Sequence, residues 1–313
     1  MKKIYALPFL LFFLYLLLSP VTALAAAREG LMLWYQSVLP TLFPFMLLCT
    51  LVLRLGLLDD LMPRIYKPFH ALTACSPYGA FAIVTGFFCG FPMGAKITHD
   101  LQMQKKISPQ EACWLMGFVN NLSPAFLISF LACDQMQQPA LAGVILVNVL
   151  GSSLLYGAIT SFAFRKKETE AFSHNTKSIS PASTEIFPVI DDCISDSIQN
   201  VLRLGAYITM FAILGSALEQ LIPSGPAWGL LLRASMEVTG GIRLLTASDL
   251  PFELRFVLIN ALCAFGGFCA LAQSAGIAAM DQKALFSYIK SRVCITLLSV
   301  VLCCGSILFR IFL

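Results

Sequence analysis

The stretch FVNNLSPAFL (118–127) sets two amides, Asn120 and Asn121, inside an otherwise apolar run, followed at once by Ser123 and Pro124. An amide both donates and accepts hydrogen bonds. At membrane depth such a pair holds a polar solute or a neighbouring helix, and the proline cuts the helix that carries it. Three further stretches share this character. GFPMGAK (90–96) supplies Gly90, Pro92, Gly94 and Lys96; MEVTGG (236–241) supplies Glu237, Gly240 and Gly241; FGGFCALAQS (265–274) supplies Gly266, Gly267, Gln273 and Ser274. The chemistry these residues suit is recognition without bond-making. No H-E-x-x-H, no G-x-S-x-G and no catalytic grouping of carboxylates accompanies them, so no enzyme is expected. Gly90 and Gly94 with Lys96 do not form a phosphate loop, which needs four residues between its glycines and an adjacent Gly-Lys. The eleven cysteines are scattered without C-x-x-C, and His70, His99 and His174 lie apart, so no metal or other cofactor is expected.

The elements that position these residues must be membrane helices. Of 313 residues, 58% are hydrophobic and 12% charged, and the mean hydropathy is +0.80. An average soluble domain is roughly 45–50% apolar and about 25% charged. The expected surroundings are therefore a lipid bilayer. Net charge is +4, but the basic residues sit in short clusters beside apolar runs, which excludes a nucleic-acid surface and suits topology signals.

Met1-Lys2-Lys3 and the apolar run after it, ending in Ala25-Ala26-Ala27, fit either a secretory signal or a first transmembrane helix; the length of the run favours a retained helix over 1–27. A first repeat is expected over 28–164, a polar connector over 165–193, and a second repeat over 194–313. Asp191, Asp192 and Asp196, grouped where the next helix is expected to begin, are expected to cap its positive N-terminal end.

Each repeat reads as a helix, a short interrupted element, a helix broken in its middle and a plain helix. The first helix, from about Glu29 to Leu58, is expected to kink at Pro40 and Pro44. If the interrupted elements are hairpins that leave on the side they entered, each half crosses three times and the second half is inverted. With the N-terminus cytoplasmic in the cell membrane, Arg54, Arg64, Lys67, Lys105, Lys106, Arg165, Lys166, Lys167, Lys177, Lys283, Lys290 and Arg292 then fall inside, as the positive-inside rule requires. The fold class expected is an all-α polytopic membrane protein: one N-terminal helix plus two inverted-topology repeats, each with a re-entrant hairpin and an unwound helix. The four interruptions should converge on one polar site near the midplane.

With LWYQSVLPTLFPF (33–45), GFPMGAK, FVNNLSPAF, EVTGGIRLL (237–245) and FGGFCALAQ in this order, residues 28–312 resemble the sporulation integral membrane protein YlbJ family. That family is grouped with nucleoside-recognition or Gate-domain proteins, akin to concentrative nucleoside transporters and the membrane region of the ferrous-iron transporter FeoB. The resemblance implies that Gly90 to Lys96 form the first hairpin, Asn120 to Pro124 the first unwound helix, Glu237 to Gly241 the region of the second hairpin, and Gly266 to Ser274 the second unwound helix. Lys96 stands where the nucleoside transporters carry a glutamate-bearing motif, which argues against a nucleoside.

Bland readings stand beside the functional ones. Lys96 could snorkel to the cytoplasmic surface, whereas placed deeper it would take Glu237 as partner, and Lys96 or that pair would recognise an acidic solute or gate the site; Gly86, Gly90 and Gly94 could serve close packing; Gln273 and Ser274 could bond helices rather than solute. The functional expectation is a transporter-like protein that binds or moves a small polar or anionic solute. The alternative is a non-transporting scaffold for spore-envelope formation, with a second copy of itself or spore-envelope membrane proteins as partners.

Overall fold

A computed structural model describes residues 2–58, 62, 64, 66–168, 186–222 and 227–309. Among them there is no strand. The fold is helical, and four helices are long and apolar enough to cross a membrane, or six if two sharply bent pairs each count as one span. Phenylalanine, leucine and valine side chains exposed on these helices, such as Phe13, Leu202, Val301 and Leu308, are what a lipid-facing surface requires.

The chain starts with α1 (Lys2–Leu18) and α2 (Pro20–Leu33). They meet at 108° around Ser19, where Pro20 cannot donate back to the preceding turn and opens a new helix instead. The single helix expected over 1–27 is thus two, and the boundary at 27/28 falls inside α2. From α2 the chain continues through a π-helical turn (Trp34–Val38) into α3 (Leu39–Arg54), which holds Pro44. Pro40 and Pro44 lack the N–H that would bond the preceding turn, and the wider turn just before them absorbs the lost hydrogen bonds.

After α4 (Lys67–Thr73) come the arms of the first interrupted element, α5 (Pro77–Cys89) and α6 (Met93–Met103). The arms have 13 and 11 residues, about 20 and 17 Å of helix, and neither can cross a hydrocarbon core of about 30 Å. They fold back on each other, since Lys106 beyond α6 lies over the ring of Tyr78 at the start of α5, 4.9 Å from its centroid. The broken helix follows as α7 (Pro109–Phe118) and a π-helical α8 (Phe126–Gln135), then the plain helix α9 (residues 139–168).

The second half repeats this order. It runs through α10 (Ile186–Leu221), the short arms α11 (Ala227–Ala234) and α12 (Val238–Thr246), the broken pair α13 (Phe252–Phe265) and α14 (Gly267–Ile277), and α15 (Gln282–Leu308). Helix α10 begins well before the expected connector boundary at 193. Asp191, Asp192 and Asp196 therefore lie within it rather than at its cap, and Asp192 and Asp196 pair with Arg54.

Serine followed by proline starts four of these helices, α2, α5, α7 and α8, and in the last three the serine also caps. The hydroxyls of Ser76, Ser108 and Ser123 accept the backbone N–H groups of Gly79, Glu111 and Phe126, satisfying donors that the first helical turn leaves free. The carboxylates of Glu237 and Asp281 do the same for α12 and α15.

The helices that open the two halves lie antiparallel. Trp34 Nε1 donates to the Val201 carbonyl, Gly30 rests on Thr209 and Gly205 on the Trp34 indole, and Arg54 at the end of α3 meets Asp196 near the start of α10. The hairpins interlock across the halves. The second arm α6 packs on α7 of its own half and on α14 of the other; α12 packs on α13 of its own half and on α8 of the other. Both core clusters accordingly mix residues of the two halves: Phe81, Met93, Leu115 and Phe118 with Val201 and Ile295, and Leu127, Leu131 and Ile145 with Ile242, Phe256 and Ile259.

Candidate functional site: the buried junction of the interrupted helices

Glycine lets the first hairpin reach the first break. A Cβ on Gly86 would stand 2.0 Å from the Val119 carbonyl oxygen, and one on Gly94 2.5 Å from the same atom. Gly90, with φ +87, is closed on by Ser123, whose backbone N would lie 3.0 Å from a Cβ. Such a φ with an extended ψ is open essentially to glycine alone. The tip ends at Pro92, which precedes the first residue of α6.

The second break is built with other residues. Gly266 (φ +90) turns the chain between α13 and α14, against the ring of Phe91 from the first hairpin's tip. The freed N–H groups of Phe268 and Cys269 then donate to the carbonyls of Ser235 and Met236 at the tip of the second hairpin. Gly267 (φ +77) leaves the room for this approach, and Gly241 lets α12 close on the Ala234 carbonyl. All four interruptions therefore meet.

Where they meet, side chains form a polar junction with almost no exposure. Asn120, 0% exposed, donates from Nδ2 to Ser274 Oγ at 2.5 Å and to Tyr288 Oη at 2.9 Å, and its Oδ1 accepts the Ala95 N–H at 3.3 Å. Asn121 donates to the Phe118 carbonyl at 2.8 Å, while its Oδ1 accepts Ser153 Oγ at 2.7 Å and Arg292 Nη1 at 3.3 Å. One asparagine thus binds α14 and α15 of the second half, and its neighbour ties α9 to α15.

Arg292, expected among the cytoplasmic topology charges, joins this junction: it lies ten residues into α15 and is 0% exposed. Its guanidinium sits 5.6 Å from the Phe91 ring centroid and 5.5 Å from that of Tyr288. Nη1 also donates to the Ala264 carbonyl at 3.3 Å, whereas Nε and Nη2 meet no partner among the described residues. The sequence setting of Arg292 hides its burial, since Lys283 and Lys290 precede it and the uninterrupted apolar run begins only at Val293.

Other expected residues stand elsewhere. Lys96, 5% exposed, donates to Asp100 at 2.6 Å and to Thr50 at 3.4 Å. It does not pair with Glu237, because a carboxylate one helical turn away is nearer and Glu237 is committed to the N–H groups of Thr239 and Gly240. Lys96 and Asp100 instead line a polar cleft of about 290 Å³ with Thr50, Arg54, Asp196 and Arg203. Gln273 turns to Cys269 Sγ at 3.0 Å, and Gly240 is exposed beside Glu237. All eleven cysteines are free.

The interlocked helices, their lipid-suited surface and the buried polar junction define an all-α polytopic membrane protein. Compared with curated proteins, the chain is similar to the sporulation integral membrane protein YlbJ of Bacillus subtilis (strain 168), with 26% identity over 314 residues, 88% of this chain and 76% of that protein. This similarity bears out the resemblance to the YlbJ family drawn from the sequence motifs. No family model matches the chain. No solved structure matches it either.

Proposed function

We propose that the chain is a sporulation-associated membrane protein of transporter-like Gate fold, whose two inverted halves hold a small polar or anionic solute where their interruptions meet. The sporulation role rests on similarity to the Bacillus subtilis protein. Inversion is supported by the antiparallel run of α2–α3 along α10 and by hairpin arms too short to cross. Irregular backbone at membrane depth is tolerated where it is buried in protein or lines a watery cavity, and in transporters built this way such breaks bind the cargo.

The observation that carries the reading is the Asn120 hydrogen-bond set to Ser274 and Tyr288. It joins a break of one half to a break and a plain helix of the other, so separating the halves exposes amide and hydroxyl groups to a solute. In a cysteine-free background, single cysteines at 120 and at 274 should react with a small charged thiol reagent from either face of the membrane. Asn120→Ala should reduce uptake of labelled anionic and uncharged polar solutes by proteoliposomes at normal protein levels. Cysteines that react from neither face would overturn the reading. Absence of flux together with co-purifying membrane proteins would favour the scaffold.

A further inference from the structure

We infer that Arg292 is the charge-reading residue of this junction, taking a carboxylate- or phosphate-like oxyanion on the edge formed by its Nε and Nη2. The inference rests on the solute reading above and names the group that would recognise the charge.

Every other membrane-proximal cation with a defined acidic neighbour is compensated: Lys96 by Asp100, Arg54 by Asp196, Arg233 by Glu219 and Arg243 by Glu29. Arg292, buried more completely than any of these, pairs with no carboxylate among the described residues. Its two unpartnered nitrogens are not a random pair. The N–H groups of Nε and Nη2 lie along one edge of the planar guanidinium and form the fork that matches two oxygens of a carboxylate or phosphate. Meanwhile Nη1 is anchored to both halves, through Asn121 Oδ1 and the Ala264 carbonyl, and the Phe91 and Tyr288 rings flank the group. Arginine is thereby held in a fixed orientation with one complete fork free. Were its role structural, the fork would be expected to bond carbonyls as Nη1 does, because a buried, unpaired cation is costly.

The test uses the full chain purified in detergent, with benzoate and inorganic phosphate as probes, benzamide as the uncharged counterpart of benzoate, and chloride matched throughout. Wild-type thermal midpoint should rise with benzoate or phosphate and not with benzamide. Arg292→Met should abolish that rise while raising the midpoint of the probe-free protein, and Arg292→Lys, which keeps a charge without the fork, should retain only part of the response. A wild type unmoved by both anions, or an Arg292→Met protein that responds as wild type does, overturns the inference. So does a probe-free Arg292→Met protein less stable than wild type, the mark of a structural arginine. A response to phosphatidylglycerol micelles alone would assign the fork to a lipid headgroup and overturn the solute form. If Arg292→Met keeps its anion response while Asn120→Ala loses uptake, this inference fails and the solute reading stands.

Discussion

Gly86 and Gly94 share one neighbour, the carbonyl of Val119, and neither leaves room for a methyl group. Gly86→Ala should therefore lower stability by about 1–3 kcal/mol, the cost of overpacking a closed core, whereas Gly143→Ala, where nothing lies within 4 Å, should be neutral or stabilising by up to about 1 kcal/mol. Thermal unfolding of the purified protein in detergent separates the two. Asn120→Ala leaves the buried Ala95 N–H without its acceptor and removes the amide donor to Ser274 and Tyr288, which keep only each other, and should cost about 1–3 kcal/mol by the same measurement. The glycines and amides were legible because polar or backbone-permissive residues inside apolar runs have few other uses. Tyr288 and Arg292 were not. Their partner amides lie 168 and 171 residues away in sequence, and a tyrosine or arginine near the start of an apolar run looks like an interfacial or topology marker until the depth of its helix is known.

At the scale of elements, helix starts are fixed by local chemistry. Replacing Ser76 or Ser108 with alanine removes a capping acceptor and should cost about 0.5–2 kcal/mol each, read as a lower unfolding midpoint. The contact between α3 and α10 ends in the Arg54–Asp196 pair, whose side chains are 35% and 42% exposed. A double-mutant cycle on this pair should give a coupling below about 1 kcal/mol that shrinks as salt is added; a larger, salt-insensitive value would contradict the exposed setting. The order of elements in the halves could be read from apolar runs and their glycine and proline punctuation. Two boundaries could not. Hydropathy is blind to the bend at Ser19, since both sides of it are apolar, and the acidic first turns of α10 look like a loop because Asp192 and Asp196 are matched by a residue far away in sequence, Arg54.

For the whole molecule, the helices up to residue 168 and those from residue 186 on interlock. Each hairpin's second arm lies between its own broken helix and that of the other half, so neither half is complete alone, and a solute at the junction would touch both. Lipid-suited outer surfaces and a polar centre follow from the same cause, because unwound backbone and amides must be satisfied inside. The measurement closest to this account is the reaction of a membrane-impermeant maleimide with single cysteines placed at the hairpin ends in sealed vesicles of known orientation. Positions 72 and 105 flank the first hairpin, and 220 and 248 the second. The account predicts that 72 and 105 label from one face, and 220 and 248 both from the opposite face. If the two ends of either hairpin label from different faces, that segment crosses the membrane outright, and the inverted halves with their shared junction are contradicted.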